Sequence, residues 1–286
     1  MEDLKGKKAV VTGGAMGFGF FTCKRLIQEG VEVTIWDLNE KAMNEAKGEL
    51  EKLGGTVHCY PCDVSNRERV FELAEQAKKD MGRVDILINN AGFTRVGCFT
   101  DIPLEHTLRV LEVNINALLY ATYALLPDML ERNSGHIVNL GSIGSFQSSP
   151  GMIGYYTSKY GVLGMSDALR LDCKMKGKTG VYVTSVHPAI AATGMFELKE
   201  KAHGFMVIKN HDDVAKAIVE RGLKKKKAVI AVPGYMYMLR AMSGLIPISW
   251  MDKSVLSNPQ ARALLDLKGR PGMAHTDPSA DKKSRF

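Results

Sequence analysis

Tyr155 and Lys159 stand four residues apart, thirteen residues beyond Ser142, in a chain of 286 residues that opens with the glycine-rich turn Thr12-Gly13-Gly14-Ala15-Met16-Gly17-Phe18-Gly19. On a helix an (i, i+4) pair shares one face, so the ammonium can approach the phenol. A free tyrosine titrates near pH ~10, and a cation held close stabilises its phenolate and brings it nearer to use at neutral pH. A phenol tuned in this way can give or take the proton of a carbinol oxygen.

The glycines point to a second function for the same cleft. Gly13, Gly17 and Gly19 follow the apolar run Val10-Val11-Thr12 and open a stretch of helical period, Phe20 to Ile27. Such a turn between strand and helix lets the backbone approach a pyrophosphate, which the first helical amides then hold, so Gly13, Met16, Gly17, Phe18 and Gly19 are candidate cofactor residues. The spacing is G-x-x-x-G-x-G. A second strand ends Thr34-Ile-Trp-Asp37, which places a carboxylate where it can accept from adenosine ribose hydroxyls. A 2′-phosphate would be repelled there, and neither Met16 nor Leu38 supplies an offsetting cation. NAD is therefore expected over NADP.

These sites need a scaffold that brings strand ends together. Apolar runs of strand length, Ala9 to Val11, Val31 to Trp36, Thr56 to Cys62, Ile86 to Ile88, His136 to Leu140, Val181 to Val186 and Ala228 to Val232, alternate with longer helical segments. The pattern predicts βαβ units in an α/β fold, one doubly wound domain over residues 1–233. Residues 234–267 form a distinct apolar stretch, expected to be a helical extension packed on the domain or on a partner subunit. Residues 268–286 read as a polar flexible tail.

With Thr12 to Gly19, Asn89-Asn-Ala-Gly92, Asn114, Ser142, Tyr155-Tyr-Thr-Ser-Lys159 and Pro188 to Thr193 in order, the chain resembles the short-chain dehydrogenase/reductase family over about residues 5–233. The resemblance implies a single Rossmann-like domain with a seven-stranded parallel sheet, usually in a homodimer or homotetramer. It implies Tyr155 as general acid/base, Ser142 as the hydroxyl that polarises the substrate oxygen, and Lys159 as the residue that lowers the phenol and holds the nicotinamide ribose. Asn114 is similar to the asparagine that orders a proton-relay water. Asp63 and Val64 match positions beside adenine, Asn90 one near the adenosine ribose, and Ile190 and Thr193 contacts to the carboxamide. Tyr156 is a weaker rival for the base, since it is (i, i+3) from Lys159 and one residue too far from Ser142. In place of the usual Pro-Gly, this chain has His187-Pro188-Ala189, which puts a methyl where the nicotinamide is approached. His187 is read as a satisfied strand-end histidine.

Composition narrows the partners. Lys and Arg number 38 against 31 Asp and Glu, for a net charge of +7 and a pI near 9.0. The excess gathers at Lys224 to Lys227 and in residues 268–286, so solvated patches are expected and no nucleic-acid partner. Five scattered cysteines suggest a reducing compartment, and Cys59-Tyr-Pro-Cys62 lacks the companions of a zinc set, so no metal is expected. No apolar h-region leads the chain and no window is expected to span a bilayer, which points to the cytoplasm. Residues 235–250, rich in Met and aromatics, could close over a ligand, meet another subunit or rest on a membrane surface.

The loops that should line the substrate pocket carry Phe93, Val96, Phe99, Ile143, Phe146, Met152, Ile153, Met195, Phe196, Phe205 and Met206. So apolar a lining suggests a hydrophobic alcohol or ketone, and the sequence is similar to the retinol and hydroxysteroid dehydrogenase branch of the family. The expected function is an NAD-dependent oxidoreductase of a secondary alcohol such as a hydroxysteroid. The alternatives are an NADPH-linked reductase of 3-oxoacyl or small carbonyl substrates, and a binding protein that keeps the nucleotide fold without turnover. The intact set Asn114, Ser142, Tyr155 and Lys159 argues against the last.

Overall fold

The structure, a computed structural model, describes residues 2–191, 207–208, 210–242 and 245–257. Seven strands appear where the apolar runs place them: β1 (Lys8–Thr12), β2 (Glu32–Asp37), β3 (Val57–Pro61), β4 (Ile86–Asn89), β5 (Gly135–Leu140), β6 (Val181–Pro188) and, after a two-stranded excursion β7 (Ile190–Ala191) with β8 (Val207–Ile208), β9 (Val229–Val232). They form one sheet of order β3-β2-β1-β4-β5-β6-β9, every neighbour parallel. The strand order reverses between β1 and β4, so a crevice opens beyond the carboxyl ends of that pair.

Each strand is apolar on both sides because helices cover both faces of the sheet. Val11, Ile35, Ile88 and Val186 face a core shared with Cys23, Leu26 and Ile27 of α1 (Gly17–Gln28), with Met43 and Leu50 of α2 (Glu40–Glu51), and with Val214 of α7 (His211–Lys216). Val10, Trp36, Leu87 and Ile137 face the other core, with α3 (Arg67–Met81), α5 (Ala117–Glu131) and Cys173 of α6 (Ile153–Met175). Burying one such side chain stabilises the fold by roughly 1.5–3 kcal/mol. Cys59 and Cys62 fall into opposite cores and all five cysteines are free thiols.

Helix starts follow local chemistry. Asn39 caps α2 by accepting from the Ala42 amide at 3.0 Å, and Asn66 caps α3 through Arg69 at 2.9 Å. Gly82, at φ +79°, ends α3 in the left-handed conformation that glycine adopts without strain. The start of α1 differs: Met16 holds an extended φ of −143° and offers no side-chain cap.

The long connection after β4 departs from expectation. Helix α4 (Leu104–Leu111) continues through a π-helical turn, Glu112–Asn116, directly into α5. This run, Leu104–Glu131, spans 28 residues and is, by length and composition, apolar enough to cross a membrane, which corrects the expectation that no window would qualify. In the fold it packs between α3 and α6. A second π-helical turn, Ala217–Leu223, continues α7, and Lys224 at its end pairs with Glu29 and Glu220 at 2.8 and 3.0 Å.

After β9 a 3₁₀ turn, Gly234–Met236, leads to α8 (Tyr237–Met242) and α9 (Ile248–Ser257). Met236 packs on Phe146 and Ala231, and Arg240 reaches Asp167 of α6 at 3.1 Å, so the extension starts against the catalytic domain itself. Ile248 and Trp250 of α9 are 78% and 71% exposed. The expected tail, 268–286, lies outside the described residues.

Candidate active site

Strand β5 ends at Leu140, and Gly141 and Ser142 carry the chain over the edge of the sheet. Ser142 then caps a 3₁₀ turn, Ile143–Ser145, its Oγ accepting from the Gly144 amide at 3.1 Å. Helix α6 runs beside this edge and presents Tyr155 and Lys159 one turn apart. The Lys159 Nζ donates to the Leu140 carbonyl at 2.8 Å and lies 5.6 Å from the centroid of the Tyr155 ring. The Ser142 hydroxyl is close enough to the Tyr155 phenol to favour its ionised form. Ser142, Tyr155 and Lys159 are thus brought to one point. Tyr156 turns aside: its ring lies against Gly144, where a Cβ would stand 2.8 Å from the ring edge.

Asn114 joins the group from the π-helical turn. Its Nδ2 donates to the Phe93 carbonyl and to the Ser158 Oγ, each at 3.0 Å, while its Oδ1 accepts from the Phe93 amide at 3.0 Å. Ser158 in turn donates to the Tyr155 carbonyl at 2.6 Å. Both ends of the asparagine amide are therefore engaged in tying the loop after β4 to the helix that carries Tyr155. Gly92 keeps the space between: a Cβ there would stand 3.1 Å from Asn114 Oδ1 and 3.7 Å from Lys159 Nζ.

Burial dominates the electrostatics of the pair. Burial pushes the Tyr155 phenol above its ordinary value, and the hydrogen bond from Ser142 recovers part of that. Burial lowers Lys159 to about 8. The expectation is a phenol lowered by the ammonium; here the phenol is raised, because desolvation dominates and only the Ser142 hydroxyl works against it. Both groups resist charging singly. Charged together as phenolate and ammonium they would offset one another, and a low-dielectric site strengthens that offset.

The residues expected to hold a dinucleotide line the crevice between β1 and β4. Gly13 and Gly17 have φ of +63° and +54°, and at Gly19 any side chain would run into the Gly13 carbonyl. Asn90 secures this turn, its Nδ2 donating to the carbonyls of Thr12 and Gly13 at 2.9 Å each. Thr12 Oγ1 accepts from the amides of Asn90 and Ala91 at 3.0 Å. Asp37, at the end of β2, accepts from the Ala15 amide at 3.0 Å and so joins the second strand to the glycine turn. The Phe18 ring packs edge-on to His211 at 5.0 Å. A bare backbone cradle, an uncapped helix start and an adjacent carboxylate fit a dinucleotide's pyrophosphate and ribose.

Other expected contacts fall out unevenly. Asp63 follows β3 at the same edge, its carboxylate engaged by Ser65 at 2.7 Å and by Arg109 at 2.7 Å. Burial works against the charge, but these partners hold its carboxyl below the usual range. Val64 is buried in the core. Ile190 belongs to β7, whereas Thr193 lies outside the described residues, as do Met195, Phe196, Phe205 and Met206. Ala189 donates its amide to the Val232 carbonyl at 2.8 Å and sits in the core, so the fold accommodates its methyl. Phe146, expected to line the pocket, is only 3% exposed and belongs to the core under α8.

Sequence reasoning missed Arg109, Ser145 and Ser158. Arg109 and Ser145 belong to no spacing motif, and Ser158, though inside Tyr155-Tyr-Thr-Ser-Lys159, gave no sign of its role because it acts through Asn114, 44 residues away, and the Tyr155 backbone. His187 was placed as a satisfied histidine, and its ring is fully buried among serines; burial lowers it to about 4.

The sequence model for short chain dehydrogenases matches residues 7–204. The chain is 30% identical over 246 residues to 17-beta-hydroxysteroid dehydrogenase 13 of Homo sapiens, covering 86% of this chain and 81% of that one. It is 32% identical over 270 residues to retinol dehydrogenase 10-B of Danio rerio, covering 86% and 80%. Among solved structures, a short-chain dehydrogenase/reductase of Burkholderia phymatum in complex with NAD superposes with a TM-score of 0.74 at 25% identity, covering 84% of this chain and 94% of that one. A short chain dehydrogenase from Mycobacterium smegmatis gives 0.70 at 29% identity, over 81% and 93%.

Proposed function

We propose, on the premise that the chain belongs to the short-chain dehydrogenase family of oxidoreductases, that it interconverts a hydrophobic secondary alcohol, such as a hydroxysteroid, and its ketone with NAD(H). The observation that carries this reading is the convergence of Ser142, Tyr155 and Lys159 at the carboxyl edge of β5. A bound nicotinamide supplies the carrier that accepts or returns the hydride. Gly13, Met16, Gly17, Phe18 and Gly19 hold the pyrophosphate through backbone groups. Asp37 takes the adenosine ribose, with Asn90, Asp63 and Val64 shaping the adenine end and Ile190 and Thr193 the carboxamide end.

In the direction of oxidation, Tyr155 removes the proton of the carbinol oxygen while the Ser142 hydroxyl holds that oxygen by a hydrogen bond. Lys159 stabilises the phenolate and binds the ribose of the nicotinamide half. Asn114 keeps Tyr155 in register through Ser158 and the Phe93 backbone. In reduction the same phenol returns the proton.

Support for an apolar substrate comes from the loop after β4 and the start of α6, where Phe99 and Ile153 leave 51% and 45% of their surface open to solvent. The names of the relatives, a hydroxysteroid and a retinol dehydrogenase, agree with such a substrate. Asp37 supports NAD, since its carboxylate would repel a 2′-phosphate. Assembly as a homodimer or homotetramer, and contact of residues 235–250 with a membrane surface, belong to the same reading. Light scattering and liposome co-sedimentation test them.

The direct experiment measures NADH formation with oestradiol, retinol and cyclohexanol. Turnover of a hydrophobic alcohol supports the proposal; silence with every alcohol in both directions would contradict it.

A further inference from the structure

His187 closes β6 and lies in a sealed polar chain beneath the catalytic edge. Its Nδ1 is 3.1 Å from both the Ser142 carbonyl and the Ser145 Oγ, and its Nε2 is 2.9 Å from the Ser185 Oγ. Ser145 passes the chain on, donating its hydroxyl to the Lys159 carbonyl at 2.7 Å. His187 and Ser185 are fully buried and Ser145 is 1% exposed. The ring also fits tightly under Gly141, where a Cβ would come within 2.5 Å of Nδ1.

The donors and acceptors fix one proton order. A carbonyl only accepts, so Nδ1 of His187 carries the hydrogen that meets Ser142. Ser145 has its single hydrogen engaged at Lys159, so its oxygen accepts from the same Nδ1–H. Nε2 is then the acceptor, filled by the Ser185 hydroxyl. One neutral imidazole thus links the backbone of the residue that holds the substrate oxygen to the backbone of the residue that supports the phenolate.

We infer that His187 is a positioning residue for the reaction: through Ser145 and the Ser142 carbonyl it fixes the distance between the Ser142 hydroxyl and the Tyr155–Lys159 pair. This inference rests on the reading in the preceding subsection. A buried histidine that merely fills space would need only its volume. The Ser142 carbonyl also accepts from the Ser145 amide at 2.9 Å and the Ser145 oxygen from the Ser142 amide at 3.4 Å, so the loss of Nδ1–H would leave the turn held only by its own backbone and free it to shift relative to β6. Misplacement of a catalytic group by a fraction of an ångström reduces kcat more than it weakens cofactor binding.

The test compares His187→Leu, His187→Asn and Ser145→Ala with the parent for oxidation of oestradiol, retinol and cyclohexanol, with NADH binding followed by fluorescence. His187→Leu and Ser145→Ala should lose roughly tenfold or more in kcat, with the dissociation constant for NADH within about twofold of the parent. His187→Asn places an amide N–H near the Nδ1 position and should recover kcat to within about threefold. Ser145→Ala reads the same chain if the leucine variant does not fold. Unchanged kcat in Ser145→Ala, or equal losses in the Asn and Leu variants, overturns the inference. If Tyr155→Phe also turns over like the parent, the proposed function fails first, and the two failures are told apart.

Discussion

The ammonium of Lys159 is bonded to the carbonyl of Leu140, 2.8 Å away, two residues before Ser142. The cation is therefore fastened to the strand end that presents the serine, as well as to the helix that presents Tyr155. This side chain thus links the two elements that present the Ser142 and Tyr155 hydroxyls. It also carries charge in a place where burial lowers its affinity for a proton.

Replacing this residue tests both roles. Lys159→Met should reduce kcat by about a hundredfold and move the rising, acid-side limb of the pH profile for alcohol oxidation to higher pH, because the phenolate loses the cation beside it. Steady-state rates between pH 6 and pH 10 check this. A profile that keeps its position after the substitution would mean that the lysine serves geometry alone.

Asp37 and the glycine turn make a separate prediction. Asp37→Ser should raise the ratio of kcat/KM for NADP over NAD by about tenfold or more, through relief of charge repulsion. Overall affinity should fall as well, since the 3.0 Å hydrogen bond from Ala15 is lost. Initial rates with both cofactors decide it.

Gly19→Ala should weaken NADH binding more than about tenfold, because the added methyl would run into the Gly13 carbonyl and spread the turn. Fluorescence titration of NADH reads the loss. Gly17→Ala should strain the backbone at φ +54° and yet meet no neighbouring atom, so its effect should be the smaller of the two.

Acid should destabilise the fold through two buried imidazoles. Burial lowers His136 to about 3 and His187 to about 4, against an ordinary value of 6.5. Between those limits the unfolded chain binds protons that the folded chain refuses. The stability held above pH 6.5 is therefore lost as pH falls toward about 4, by up to about 1.4 kcal/mol per pH unit for each group. Thermal melts from pH 7 to pH 4 should show this slope, and His136→Gln should flatten it.

Much of this was legible from sequence because the carriers of the pattern are local. Val10 and Val11 point into opposite cores, so β1 is apolar without alternation, and the other six strands of the sheet read the same way. Tyr155 and Lys159 are joined by helical spacing, and Asp37 by its place at a strand end. What escaped was set by distance in the chain. Arg109 meets Asp63 across 46 residues, and His187 meets Ser142 across 45, with no periodicity to announce either. The π-helical turn at Asn114 arises from tertiary hydrogen bonds to Phe93 and Ser158, which propensity does not encode. Phe146 was misplaced because an aromatic after a catalytic strand suits a pocket and a core equally.

The central claim is that the Tyr155 phenol moves the substrate proton. Tyr155→Phe removes one oxygen beside Ser142 and leaves the nucleotide crevice alone. Its kcat for alcohol oxidation should fall by at least about a hundredfold while NADH binds as it does to the parent. Retention of parental kcat by that variant, with the cofactor bound, would contradict the account.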